Sequence, residues 1–177
     1  MLLLLFYIYV ILVKLFFVKD YKNYPPFVPS FGKIKKLEFI KISKQLEESR
    51  KSLTVLDPGC GTADLIIKLA KKFPKHKFVG IEWNKSLYNI AKLKSKNLSN
   101  FTVLNQNMFD CSFCNADIIV CFLITELMEK IGNKIKKEGK KGLMVYSNTF
   151  SIPNLELQEK ITTRKIFLFS DLYIYKL

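Results

Sequence analysis

The sequence predicts an α/β protein of the doubly wound, Rossmann-like class, with a seven-stranded sheet that ends in an antiparallel hairpin. From residue 53 onward, short β-branched runs alternate with segments of helical period, which is typical of a parallel sheet covered by helices. The run at 116–123 is apolar almost throughout, as expected of a strand buried on both faces. We therefore expect one domain over residues 51–177.

The predicted elements follow one another in a regular order. Apolar spacing within residues 33–52 predicts a helix that leads into the domain. Two apolar runs near the C-terminus are separated by Ser170 and Asp171, which predicts a hairpin with its turn at these two residues. Residues 149–164 form a segment that is too short and too polar to predict a helix. The other strands are predicted at 53–57, 77–82, 101–104, 116–123 and 142–148, and the other helices at 63–73, 86–95 and 125–137.

The first eighteen residues are apolar except for Lys14. As a helix they would be about 27 Å long, close to the ~30 Å hydrocarbon core of a bilayer. No basic stretch precedes them and no small-residue cleavage site follows, so a signal peptide is not indicated. We expect a single-pass or monotopic anchor at 1–18 and a connector with the lead-in helix at 19–50. The lysines that follow the anchor place the rest of the chain on the cytoplasmic or matrix side. A helix packed on the domain is the alternative.

The formal net charge of +14 suggests nucleic acid or an anionic membrane surface as a partner. Of the 29 basic residues, however, only Arg50 and Arg164 are arginines. Arginine is the preferred fork for phosphates and base edges. The lysine-rich composition is more typical of AT-rich coding, and we expect no nucleic-acid partner.

The cysteines raise the question of a metal or redox site. Cys111 and Cys114 have the CxxC spacing of half a zinc site or of a redox pair. His76 is the only histidine, so a four-ligand zinc site would also need Cys60 or Cys121. Cys121 lies within an apolar run and is expected in the core. The favoured interpretation is four reduced thiols and no metal.

A glycine turn follows the first predicted strand in "TVLDPGCGTADLII". In such a sheet, ligands bind at the carboxyl ends of the strands, near the point where the strand order reverses. Gly59 and Gly61 leave no Cβ between the backbone and a ligand, and the next helix offers unpaired N–H groups. Asp57 directly before the turn would repel a pyrophosphate. It suits a ligand that carries an ammonium group or hydroxyls.

The pattern DxGxGxA resembles motif I of class I S-adenosylmethionine-dependent methyltransferases. The resemblance implies S-adenosylmethionine as the cofactor, with Asp57 at its methionine end and Glu82 on the ribose. Asn107 would accept a hydrogen bond from the adenine amino group, between Trp83 and Met108 on the ring faces. The complete cofactor-binding set is then Asp57, Gly59, Cys60, Gly61, Glu82, Trp83, Asn107 and Met108.

A closer resemblance covers nearly the whole chain. The hydrophobic segment, "PFVPS", "LDPGCGTADLII", "VGIEWN", "ADIIVCFLITELMEKIGNKIKKEG" and "VYSNTFSIPN" occur in this order. The order is similar to that of the membrane-anchored, mitochondrial-type protein lysine N-methyltransferases and their bacterial relatives. Those enzymes methylate lysines of inner-membrane proteins, the ATP synthase c subunit and the adenine nucleotide carrier. The family's turn more often reads DxGSGDGR, from which this chain departs at Cys60, Thr62, Ala63 and Asp64.

The resemblance implies methyl transfer to a lysine of a membrane-associated protein. Acceptors enter this fold after strand four, so Phe122, Leu123, Thr125 and Glu126 are expected to line the acceptor channel. No general base is assigned, because a place in the first turn of a helix explains Glu126 better than a catalytic role does. Tyr146 and Asn148 end strand five and carry the same ambiguity. The alternatives are a lipid or small hydrophobic acceptor, or a cofactor-binding domain without turnover.

Overall fold

A computed structural model of the protein describes residues 32–165 and 168–177. The predicted membrane anchor at 1–18 and the proline-rich connector lie outside these residues. In the part of the chain that is described, no helix has both the length and the apolar character needed to cross a bilayer.

The observed elements confirm the predicted alternation of strands and helices. The sheet has the order β3-β2-β1-β4-β5-β7-β6, in which β1 to β5 are parallel and β7 runs antiparallel between β5 and β6. The strand order reverses between β1 and β4. The elements are α1 (Gly32–Glu48), β1 (Thr54–Pro58), α2 (Asp64–Lys72), β2 (Lys77–Ile81), α3 (Lys85–Lys94), β3 (Phe101–Leu104), a 3-10 turn (Met108–Asp110), β4 (Ile118–Cys121), α4 (Thr125–Glu138), β5 (Met144–Asn148), β6 (Leu157–Lys165) and β7 (Leu168–Lys176).

The sheet separates two hydrophobic cores. Side chains of α1 and α2 pack with Val55 of β1 on one face, and α4 packs with Leu56 on the other. Successive strand residues point to opposite faces, which explains why neighbours in β1 enter different cores. By the same alternation, Asp57 shares the α1 face with Val55. The carboxyl ends of β1, β4 and β5 therefore open directly beside α1.

The prediction of two antiparallel strands at the end of the sheet is confirmed, but the predicted first strand, at 164–169, and the predicted turn are misplaced. Ser170 and Asp171 lie within β7, where they pair with Thr163 and Thr162 of β6. The Thr162 hydroxyl donates a hydrogen bond to Asp171 Oδ1 at 2.7 Å, and Lys160 Nζ lies 3.1 Å from Oδ2. Because β6 is an edge strand, its polar residues can face solvent and still pair across the hairpin. The sequence criterion of an apolar run therefore missed all but the last two residues of β6.

Candidate active site

The glycine turn after β1 is fixed to the end of β2 by backbone hydrogen bonds. The N–H groups of Gly59 and Cys60 both donate to the carbonyl oxygen of Ile81, at 2.8 and 3.0 Å. The N–H of Gly61 donates to Glu82 Oε2 at 2.9 Å. These three bonds join the two predicted cofactor segments into one rigid edge.

Close approach requires glycine at the first turn position. Gly59 has a φ of +87°, and a Cβ at this residue would lie 2.8 Å from Leu123 Cδ2 and 3.9 Å from Met108 Cε. The turn after β1 therefore meets predicted residues from the segments after β3 and β4. Gly61 also has a positive φ, of 56°. Ala63, which replaces the expected third glycine, adopts the left-handed conformation with a φ of 59°.

Two buried carboxyl groups lie at the ends of β1 and β2, beside this edge. Asp57 and Glu82 are both buried. Burial raises the pKa of Asp57 to about 7; the nearby Glu82 raises it further and Lys35 opposes the shift. Burial also raises the pKa of Glu82, against the N–H groups of Asn84 and Gly61. Two desolvated acids stabilise a cationic ligand, so the residues present fit S-adenosylmethionine.

Glu82 is held by backbone donors on both oxygens. Oε2 accepts from Gly61, and Oε1 accepts from the N–H of Asn84 at 2.8 Å. A carboxylate oxygen has two lone pairs, so each oxygen keeps one for a ligand hydroxyl. The ribose role of Glu82 stays a prediction, and this geometry is compatible with it.

The loop after β3 contains an asparagine that the sequence reasoning did not select. Asn105 Nδ2 donates to the carbonyl oxygens of Glu82 and Trp83, at 2.8 and 2.9 Å, and so ties the loops after β2 and β3 together. The predicted adenine ligand, Asn107, uses its Oδ1 to accept from the N–H of Phe109 at 3.0 Å, which caps the 3-10 turn. Its role toward adenine stays a prediction. In that role, Asn107 Oδ1 would accept hydrogen bonds from both Phe109 and the adenine amino group.

The predicted acceptor channel divides into two parts. Leu123 is buried against the glycine turn, and Phe122 is half-buried. Thr125 and Glu126 are exposed in the first turn of α4. An acid in this place stabilises the N-terminus of the helix, which accounts for Glu126 without any catalytic role.

A carboxyl group that the sequence reasoning did not select belongs to α1 and faces the end of β5. Glu38 is 1% exposed, and its Oε2 accepts from Asn148 Nδ2 at 2.9 Å. Its Oε1 is buried and has no hydrogen-bond partner among the residues that the structure describes. Burial raises the pKa of Glu38 to about 8, opposed by Asn148 and reinforced by the charge of Asp57. The sequence did hold a signal, because an acid interrupts an apolar stripe of four-residue spacing formed by Ile34, Glu38, Ile42 and Leu46.

The four cysteines and the histidine are accounted for by their packing and hydrogen bonds. All four thiols are free. Cys60 packs against β2, where a Cβ on Gly80 would lie 2.7 Å from its Sγ. Cys121 is buried in the core, as predicted. His76 Nδ1 accepts from the N–H of Leu53 at 3.0 Å. Within 32–165 and 168–177, no three His, Cys, Asp or Glu side chains are grouped to hold a metal ion.

Known proteins resemble this chain in sequence and in fold. Residues 57–159 match the family model of the ANTKMT methyltransferase domain. A protein-lysine N-methyltransferase from Saccharolobus islandicus (strain REY15A) is 30% identical over 163 residues, which cover 88% of this chain and 96% of that protein. An RNA methyltransferase from Salinibacter ruber, solved with S-adenosyl-L-homocysteine, has a TM-score of 0.71 at 16% identity and covers 84% of this chain and 93% of that chain.

A third relative matches a shorter segment. A tRNA (guanine-N(7)-)-methyltransferase from Oceanobacillus iheyensis is 36% identical over 61 residues, which are 33% of this chain and 29% of that protein. The family match confirms the predicted fold and the predicted cofactor. The chain belongs to the ANTKMT methyltransferase family and is an S-adenosylmethionine-dependent methyltransferase.

Proposed function

We propose that this enzyme methylates a lysine side chain of a membrane-associated protein. The observation that carries the lysine assignment is the similarity to a protein-lysine N-methyltransferase along 96% of that protein's length. A match of this extent includes the segments around the acceptor side of the fold as well as the cofactor motif. The shorter match to a tRNA methyltransferase is limited to 61 residues and supports no acceptor.

The membrane part of the proposal rests on the sequence of residues 1–18. Seventeen of these eighteen residues are uncharged, and lysines follow them closely. An anchored enzyme meets a membrane-embedded substrate at a raised local concentration, because both move in the same plane. A lipid or a small hydrophobic acceptor would profit from the same anchor. The identity of the methylated product separates these acceptors.

The residues of the chain have defined tasks in such a reaction. When bound, S-adenosylmethionine would supply an activated methyl group on its sulfonium, to be transferred to an amine nitrogen. Asp57 and Glu82 would hold the charged and hydroxylated parts of the cofactor, while Leu123 and Met108, which lie beside the glycine turn, would exclude water there. Orientation and desolvation are the main contributions of the protein. The acceptor lysine has to lose a proton before it can attack.

The full-length protein in detergent or in vesicles, incubated with methyl-labelled S-adenosylmethionine and membranes of its host, tests the proposal. Label is expected in a membrane protein, and acid hydrolysis is expected to release methylated lysine. Glu82→Gln should abolish the label, whereas Glu48→Gln, an exposed glutamate of α1, should leave it unchanged. Label recovered in the lipid extract, in RNA, or in no fraction at all would contradict the lysine assignment.

A further inference from the structure

The buried carboxyl of Glu38 has no task in the fold that explains its cost. Its Oε2 accepts a hydrogen bond from Asn148, but its Oε1 is buried and finds no partner within 32–165 and 168–177. A buried polar atom without a hydrogen bond destabilises a protein by about 1–3 kcal/mol. The neighbours on the same stripe of α1 are Ile34 and Ile42, and an apolar residue would pack there equally well. A polar group that arrives with a ligand would satisfy this atom.

The sheet places Glu38 on the acceptor side of the cofactor residues. Asn148 is the last residue of β5, and β4 separates β5 from β1. The predicted cofactor residues Asp57, Glu82 and Asn107 follow β1, β2 and β3 on the other side. In-line methyl transfer needs the acceptor nitrogen opposite the sulfur. The space above β4 and β5 is therefore the side from which an amine approaches.

Asp57 and Asn148 lie on the face of the sheet that packs against α1, and Glu38 reaches this face from α1. Tyr146 belongs to the core under α1, and Asn148, two residues further along β5, points to the same face. Asp57 reaches this face by the same alternation from Val55. The charge of Asp57 raises the pKa of the Glu38 carboxyl. The charges of Asp57 and Glu38 both raise the pKa of the Cys121 thiol at the end of β4. Two acids thus flank the end of β4, one toward the cofactor and one toward the acceptor.

We propose that Glu38, positioned by Asn148, receives the ammonium group of the acceptor lysine through its unpartnered Oε1. This inference rests on the proposed lysine specificity and assigns a residue to it. One N–H bond of the ammonium breaks and leaves its electron pair on nitrogen, and an O–H bond forms on Oε1. The amine nitrogen would then hold the electron pair needed to take the methyl group that the bound cofactor would supply, and the electron pair of the carbon–sulfur bond would stay on sulfur. The transfer requires the ionised carboxylate, and the raised pKa of Glu38, about 8, makes that carboxylate a stronger base than an ordinary glutamate.

Two cofactor analogues test the assignment without an acceptor protein. Sinefungin carries a primary amine where S-adenosylmethionine carries its methyl group, and S-adenosylhomocysteine carries neither. Their dissociation constants are measured by calorimetry on the full-length protein. The wild type should bind sinefungin more tightly, and Glu38→Gln should reduce this preference by about tenfold, the value of a charge-assisted hydrogen bond. Binding of S-adenosylhomocysteine should change less than about threefold, well below that loss.

Three further variants complete the test. Asn148→Ala should reduce the preference partly, since it frees the carboxyl without removing it. Glu48→Gln makes the same substitution on the exposed side of α1 and should have no effect. Glu38→Asp keeps the charge but shortens its reach, and should also lose the preference. Glu38→Gln should unfold at no lower temperature than the wild type, because a neutral amide replaces a desolvated acid.

Other outcomes overturn the inference in distinct ways. Equal weakening of both analogues by Glu38→Gln would place Glu38 at the amino-acid end of the cofactor. An unchanged ratio, or a wild type without any preference, would make Glu38 structural. A wild-type protein that binds neither analogue would refute the inference together with the proposed function. A protein that shows the preference but labels no lysine would keep the amine site and refute the lysine substrate.

Discussion

Asp57→Asn should stabilise the cofactor-free protein at neutral pH while it weakens cofactor binding. The pKa of the Asp57 carboxyl lies at about 7, whereas an ordinary aspartate has 3.8. Between these values the folded state binds a proton that the unfolded state has released. Folding stability therefore falls as the pH rises through this window, by about 1.4 kcal/mol for each pH unit. The total over the window is about 4 kcal/mol.

Urea denaturation of both proteins at pH 5 and pH 8 measures this effect. The part of this window between pH 5 and about 7 lies between the two conditions. From pH 5 to pH 8, the free energy of unfolding of the variant should therefore rise by about 3 kcal/mol relative to that of the wild type. The loss of the Asp57 charge also relieves Glu38, whose pKa it raises, and this acts in the same direction. Asp110→Asn, at an exposed aspartate, is the matched control. A stability difference that stays constant between the two pH values would refute the reasoning.

The same substitution tests the role of the carboxyl. Asp57→Asn keeps the shape of the side chain but cannot carry a negative charge opposite the cofactor's ammonium group. Calorimetry should show S-adenosylmethionine binding weakened by about tenfold or more. A variant that is more stable and binds less is the expected signature of a functional residue held at a cost to folding. Unchanged affinity would remove Asp57 from the cofactor site.

Three further predictions concern the turn, its supporting loop and the thiols. Gly59→Ala should destabilise the protein by clearly more than Gly142→Ala, because both have a positive φ but only the former Cβ meets Leu123; equal losses on denaturation would contradict this. Asn105→Asp removes two hydrogen bonds to carbonyls of the loop after β2 and should weaken S-adenosylmethionine binding by about tenfold, whereas unchanged affinity would show the loop holds without it. Cys114 is the one exposed cysteine, so a thiol reagent should label it rapidly and the other three only after denaturation; a second rapid thiol in the native protein would contradict the packing.

The parallel part of the fold could be predicted because its signals are local. β4 is apolar without interruption because it is covered on both faces. In each helix the apolar residues recur with the helical period. Asp57 and the glycines after it lie within seven residues and carry their geometry in the sequence. β6 was missed because an edge strand needs no apolar run. The turn at Ser170 and Asp171 was misplaced because two polar residues in a strand are indistinguishable in sequence from two in a turn, until Thr162 and Thr163 are seen opposite them.

Glu38 marks the point where sequence reasoning stops for a physical reason. An acid within an apolar helical stripe is visible in the sequence, but exposed and buried acids look alike there until the face of α1 that packs is known. The hydrogen-bond partner, Asn148, is 110 residues away and ends a strand whose place is set by the reversal of the strand order. Neither residue belongs to the motif that identifies the cofactor. Cofactor binding is thus written in short contiguous segments, while the features that receive the acceptor arise only where α1 closes over β5.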